Sequence, residues 1–243
     1  MSPSAVPRIV DGRRSVDPAA ADTVVLFDLD GTVTDSFVGI TTSFRHALIE
    51  IGEPLPPDDF WPSIVGPPLI DSLALLGITG DRAAAGVQAY RARYDVIGWR
   101  ENAVFPGMAE LLADLAAAGR TLAIATSKNE VIARRILGHF GLAHRFAHIC
   151  GADDAVGRSA KGDVVAEALR RLGANPTERP IVMVGDRSHD VDGAASCQVP
   201  TIGVKWGYAH AGELEAAQHR SGSPEDNRWI VTTVTQLRKV LGV

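Results

Sequence analysis

Apolar positions along this chain fall into two alternating patterns. Short continuous runs occur at 23–27 (T-V-V-L-F), 121–125 (T-L-A-I-A), 146–150, 181–184, 201–204 and 229–231. They are too brief for helices and rich in β-branched residues, so they predict buried parallel strands. Between them lie stretches of helical period. Met108, Leu111, Leu112 and Leu115 form one stripe, closed by Gly119. Others span about 129–140, 161–172 and 188–197, with a last one from about 235. Strands alternating with helices predict an α/β fold built on a doubly wound parallel sheet.

One block breaks the alternation. After Ser36, a good N-cap, the apolar residues Val38, Ile40, Phe44, Ala47, Leu48 and Ile51 recur at mostly helical spacing. Gly52 and the prolines at 54, 56 and 57 end that helix. Helical patterns follow at 58–64, 69–76 and 81–97, the first two separated by the rigid Gly66-Pro67-Pro68 loop. Four helices without a strand predict a small helical domain inserted into the α/β core. The expected division is a tail at 1–21, loosely ordered and rich in Pro, Ala and Ser, a core at 22–36 and 105–243, and an insertion at 37–104. A second segment of low order is expected at 221–228.

The 243 residues are 46% hydrophobic, enough for one large core with a smaller inserted domain. The net charge of −5 gives no electrostatic case for nucleic acid. No apolar run approaches the ~20 residues of a membrane span. Arg13-Arg14 lacks the apolar segment of an export signal behind it. Cys150 and Cys197 have no metal-ligand spacing and suit reduced thiols in a cytoplasmic protein.

The candidate chemistry gathers where strands end. The first run stops on Asp28, with Asp30 and Gly31 following. Two carboxylates so close resist joint ionisation unless a cation or a proton separates them. The C-terminal edge of a parallel sheet is also where α/β folds place ligands. Thr126, Lys161 and Asp186 also stand just after a strand or at a helix start near one. Asp190, four residues beyond Asp186, shares its face if the segment is helical. Thr126 also suits a helix N-cap, and Asp190 a charge at a helix N-terminus. Lys128 reads as solvent-facing and His189 as an exposed helix residue. Asp192 and Arg187 read as solvated or structural, and the four tryptophans as packing.

D-L-D-G-T-V-T-D at 28–35, A-T-S-K at 125–128, Lys161 opening K-G-D-V-V, and G-D-R-S-H-D at 185–190 resemble, in order, the four motifs of the haloacid dehalogenase (HAD) superfamily. The resemblance implies Asp28 as nucleophile and Asp30 as general acid and base. It implies Thr126 and Ser127 as donors to the phosphoryl group, and Lys161 as the cation that damps repulsion between nucleophile and phosphate. Arg158 is a second candidate for that cation. Mg²⁺ is implied on Asp28, the Asp30 carbonyl and Asp186, with Asp190 holding a metal-bound water. The inserted helices correspond to a C1-type cap, whose residues, Arg45 and the Gly66–Pro68 loop among them, are expected to select substrate.

S-F-R-H-A-L and V-G-P-P-L are similar to the phosphoglycolate phosphatase and 5′-nucleotidase-like branch, and also to a mycobacterial tyrosine kinase of this fold. The expected activity is Mg²⁺-dependent hydrolysis of a small phosphorylated metabolite. Two alternatives stand beside it: phosphotransfer from ATP to a protein tyrosine, although the chain has no P-loop, and a catalytically idle binding module.

Overall fold

The computed structural model describes residues 9–10 and 13–243. Its centre is a six-stranded sheet, parallel throughout, ordered β10-β9-β8-β3-β6-β7. The strands are β3 (Val24–Phe27), β6 (Leu122–Asn129), β7 (His148–Ala152), β8 (Ile181–Gly185), β9 (Thr201–Val204) and β10 (Trp229–Val231). Two-residue pairs complete the set: β1 (Ile9–Val10) with β2 (Arg13–Arg14), and β4 (Thr34–Asp35) with β5 (Ala103–Val104).

Helices cover both faces of the sheet. Val25 and Phe27 of β3 join one core cluster with Leu111, Leu112, Leu237 and Leu241, from α4 (Met108–Ala117) and α9 (Val234–Leu241). Val24 and Leu26 point the other way and pack with Val164, Val165 and Ala168 of α6 (Lys161–Leu172). All four residues of β3 are fully buried, as expected of a central strand covered on both faces. The remaining core helices are α5 (Glu130–His139), α7 (Ser188–Ser196) and α8 (Glu213–Arg220).

Between β4 and β5 lie α1 (Phe37–Glu50), a 3₁₀ turn at Asp58–Ile64, α2 (Leu69–Leu75) and α3 (Gly80–Tyr94). They pack through Phe44, Leu48, Trp61, Leu73 and Tyr94. The antiparallel β4–β5 pair ties together the two chain crossings between this block and the core.

Several expectations need correction. Of the tail expected at 1–21, residues 1–8, 11 and 12 lie outside the described residues. Residues 15–21 are not loose: the Val16 amide donates to Asn227 at 3.1 Å, and Arg120 donates to the Pro18 carbonyl at 2.7 Å. Asn227 and Ser223 are buried, so 221–228 is packed as well. Ser36 does not cap α1 with its side chain. Its hydroxyl is buried without a partner, and the Asp35 carboxylate takes the Phe37 amide instead. Finally, α8 has no counterpart in the apolar pattern.

Candidate active site

β3, β6 and β8 are neighbours, so the residues that follow them converge on one edge of the sheet. Asp28, Asp186 and Asp190 are all buried, with carboxylate oxygens within 4.8 Å of one another. Each is held differently. Lys161, the first residue of α6, places its ammonium 2.7 Å from Asp28 Oδ1 and 2.7 Å from Asp190 Oδ1. Gly193 of α7 makes room for it, since a Cβ there would stand 2.7 Å from the Lys161 side chain. Asp190 Oδ2 accepts the Arg187 amide at 3.0 Å, closing the first turn of α7. Asp186 accepts from the Thr32 hydroxyl at 3.1 Å and from the Tyr208 amide at 2.8 Å.

Gly31 adopts φ +83°, and a Cβ there would meet Asp186 Oδ2 at 2.3 Å. The turn after β3 therefore requires glycine twice over, for its left-handed backbone and for the approach of Asp186. Thr32 serves the turn with its backbone, its amide donating to the Leu29 carbonyl at 3.3 Å, and gives its hydroxyl to Asp186.

The electrostatics of this cluster are unbalanced. Three buried carboxylates share one ammonium, leaving a deficit of two positive charges when all are ionised. Burial, with Asp190 and Asp28 beside it, pushes the Asp186 carboxyl well up. Asp190 is also raised, by burial first and against the pull of Lys161. Burial works to discharge Lys161, but Asp190 and Asp28 outweigh it and hold the ammonium firmly protonated. An all-oxygen donor set with this deficit fits a hard divalent cation. Among the described residues no other group of His, Cys, Asp or Glu has this geometry.

Asp30 is set apart from the cluster. Its Oδ2 pairs with Lys128 at 2.6 Å, while Oδ1 is buried without a partner. Asp30 also lines a cavity of about 180 Å³ between core and insertion. Ile40, Phe44, Leu69, Tyr90 and Tyr94 supply its insertion side, Ser127, Lys128 and Ile132 its core side, and the Gly66–Pro68 loop its rim.

Lys128 is not the solvent-facing residue its sequence position suggests. Its side chain is 8% exposed and lies over the Tyr94 ring, 4.8 Å from the centroid. Burial opposes its charge, but Asp30 and the two tyrosines prevail and keep it protonated. Lys128 lies in the stretch where the β6–β7 register shifts, between Ala125 and Asn129, and Tyr94 of the insertion covers it. Thr126 is buried, its hydroxyl accepting the Lys128 amide at 3.2 Å. It is not the N-cap of α5, because Asn129 performs that role.

Two further candidates stand elsewhere. Arg45 is exposed, its guanidinium 4.6 Å from the Trp61 ring centroid, and it does not line the cavity. Arg158 is turned away from Asp28, donating to the Gly151 carbonyl and to Glu130. Arg187 is buried, pairing with Glu213 and donating to the Val65 carbonyl of the insertion at 2.5 Å.

The parallel sheet, the carboxylate cluster at its edge and the helical insertion define a Rossmann-like α/β protein with a buried acidic site at its strand ends. The family model for haloacid dehalogenase-like hydrolases matches residues 25–204, and the chain belongs to that family. It is 46% identical over 234 residues to tyrosine-protein kinase PtkA of Mycobacterium tuberculosis, covering 95% of this chain and 76% of that protein. It is 39% identical over 195 residues to a 5′-nucleotidase of Pseudomonas aeruginosa, covering 80% and 87%. Among solved structures, a predicted phosphatase from Clostridium acetobutylicum superposes with a TM-score of 0.81 at 35% identity, over 91% of this chain and 99% of that one. No helix among the described residues is long and apolar enough to cross a membrane.

Proposed function

We propose that this protein is a Mg²⁺-dependent phosphatase that hydrolyses a small phosphate monoester, phosphoglycolate-like or nucleotide-like, through an aspartyl-phosphate. The observation that carries the reading is the division of labour among the carboxylates. Asp28 belongs to the charge-deficient cluster, whereas Asp30 stands outside it and lines the cavity. Relatives named 5′-nucleotidase and phosphoglycolate phosphatase support the same chemistry. Residues 37–104 act as a cap, and the free thiols Cys150 and Cys197 suit a reducing cytoplasm.

Asp28 attacks phosphorus in line, and the bond to the leaving oxygen breaks as Asp30 delivers a proton to it. Asp30 then takes a proton from water. The resulting nucleophile attacks the phosphoryl group, the bond to Asp28 breaks, and phosphate is released. Thr126 and the Ser127 amide hold phosphoryl oxygens, and Lys161 lowers the repulsion between Asp28 and the incoming dianion. Asp28, the Asp30 carbonyl and Asp186 would hold Mg²⁺, with Asp190 supporting a coordinated water. The ion supplies charge neutralisation of the transferring group.

A second reading follows from the 46% identity to a protein named as a tyrosine kinase: the same Asp28 chemistry, loaded from ATP and discharged onto a protein tyrosine. The idle-module reading is disfavoured, because every motif residue is present and gathered at one sheet edge. The deciding experiment measures phosphate release from a panel of phosphorylated metabolites, with EDTA and then excess Mg²⁺. Parallel reactions use radiolabelled ATP and a tyrosine peptide. The phosphatase reading expects turnover abolished by EDTA and restored by Mg²⁺. Full turnover without metal overturns it, and label transferred to tyrosine without metabolite hydrolysis favours the kinase.

A further inference from the structure

Three consecutive residues after β9 touch the carboxylate cluster and both crossings into the insertion. The Tyr208 amide donates to Asp186 Oδ2 at 2.8 Å. At the far end of the same residue, the hydroxyl donates to Asp35 Oδ1 at 2.8 Å and accepts the Ser36 amide at 2.9 Å. Asp35 and Ser36 form the first crossing, immediately before α1. Trp206 reaches the second crossing: its ring meets Phe105 edge-on at 6.4 Å, and its Nε1 donates to the Thr32 carbonyl at 3.1 Å. Gly207 is wedged between them. A Cβ there would lie 2.3 Å from Asp186 Oδ2 and 2.4 Å from the Gly31 carbonyl.

We propose that residues 206–208 form a strap coupling cation occupancy at Asp186 to the seating of the helical insertion, with Tyr208 as its positioning residue. The proposal rests on the reading of Asp186 as a metal ligand. A cation held by Asp186 would fix the rotation and charge of its carboxylate, and the amide bound to that carboxylate belongs to Tyr208. The tyrosine ring is rigid, rotation about χ2 leaves the hydroxyl on its axis, and χ1 sits in a staggered well, so a shift at the backbone carries through to the hydroxyl. That hydroxyl holds the Ser36 amide at the start of α1, where helix amides lack partners of their own. Coupling of this kind is reciprocal: if occupancy favours the seated insertion, seating strengthens cation binding by the same factor.

The test uses Tyr208→Phe, which keeps the ring and the amide bond to Asp186 but removes the hydroxyl. Calorimetric titration with Mg²⁺ alone gives affinity, and the ¹⁵N-amide signal of Ser36 in the same titration reports the crossing. In the wild type the Ser36 signal shifts with the calorimetric Kd. In Tyr208→Phe the Kd rises about fivefold, and the Ser36 response is largely lost. Asp35→Ala reproduces the weakening, and the double variant adds nothing beyond the larger single effect. If Tyr208→Phe does not fold, Asp35→Ala decides by the same two readouts. Unchanged Kd and unchanged Ser36 response in a folded variant overturn the coupling, even if thermal stability falls. Absence of Mg²⁺ binding by the wild type overturns the metal reading and the coupling with it.

Discussion

The Lys128 ammonium stands 2.6 Å from the Asp30 carboxylate and 4.8 Å from the centre of the Tyr94 ring, so one core lysine joins a site carboxylate to the insertion. Both charged side chains are about nine-tenths buried. A buried pair costs most when one partner is removed, because the survivor is left uncompensated. Lys128→Met is expected to destabilise the protein by about 2–4 kcal/mol. Adding Asp30→Asn should recover much of that loss, giving a coupling energy of about 1–3 kcal/mol between the two positions in urea denaturation. Additive effects would show that Asp30 and Lys128 do not compensate one another.

Glu130 is one of the acid-sensitive carboxylates of the fold. It accepts from Arg171, Arg134 and Arg158 and from the Gly151 amide. Burial raises its carboxyl, but these bonds prevail and bring it from 4.5 down to about 2. A depressed carboxyl stabilises the fold fully above its unfolded value and loses that contribution as pH falls towards its folded one. Glu130→Gln should therefore cost about 2–3 kcal/mol at pH 7. The gap to the wild type should narrow as pH falls through 4.5 towards 2. Denaturation at pH 7, 5 and 4 measures this; a gap independent of pH would assign the loss to packing.

The sequence carries much of this architecture because the motif residues end short apolar runs, and adjacent parallel strands bring such ends together. Asp28 ends such a run, and Lys161 meets it at 2.7 Å across 133 residues from the first turn of α6, which packs on the same sheet. What stayed hidden depends on contacts that periodicity does not encode. Lys128 sits where the β6–β7 register shifts and is covered by Tyr94 from the insertion. α8 buries only Leu214, Ala217 and Gln218, too thin a stripe to stand out among its polar residues. Tyr208 reaches Asp35 over 173 residues, and its role is visible only once β9 lies beside β8. Arg45 is not among the residues lining the cavity, its guanidinium lying over Trp61, which Phe44 packs.

Asp28 and Asp30 should fail in distinguishable ways. Asp28→Asn removes the nucleophile, and turnover of an aryl phosphate should fall by about 10³-fold or more, with no acid-stable label on the protein. Asp30→Asn keeps the nucleophile and removes the proton carrier, a loss of about 10²–10⁴-fold for an ordinary alkyl phosphate. An activated leaving group needs no proton, so the first step survives there and the phosphoenzyme accumulates. Rapid-quench experiments with labelled substrate separate the two cases. Near wild-type turnover by Asp28→Asn would rule out the covalent route.

Selectivity should follow the cavity rather than Arg45. The Arg45 guanidinium is engaged with Trp61, and neither residue lines the space above Asp30. Arg45→Ala should change kcat/KM by no more than about twofold on any substrate and cost about 0.5–1 kcal/mol of stability, the worth of an exposed cation–π contact. Leu69 stands at the start of α2, beside the Gly66–Pro68 loop, and does line that space. The cavity holds about 180 Å³, and Leu69→Phe would put a longer, flat side chain on one wall of it. A bulky leaving group must enter this volume, whereas a two-carbon one leaves room. Leu69→Phe should therefore lower kcat/KM at least about tenfold for a nucleoside monophosphate, within the range that pocket shape commands. Phosphoglycolate should lose less than about threefold. Both substrates are assayed at saturating Mg²⁺, and kcat is compared with KM for each. Equal losses on the two would move the determinant of selectivity off this wall of the cavity, and a loss at Arg45 confined to the larger substrate would return it to the first helix of the insertion.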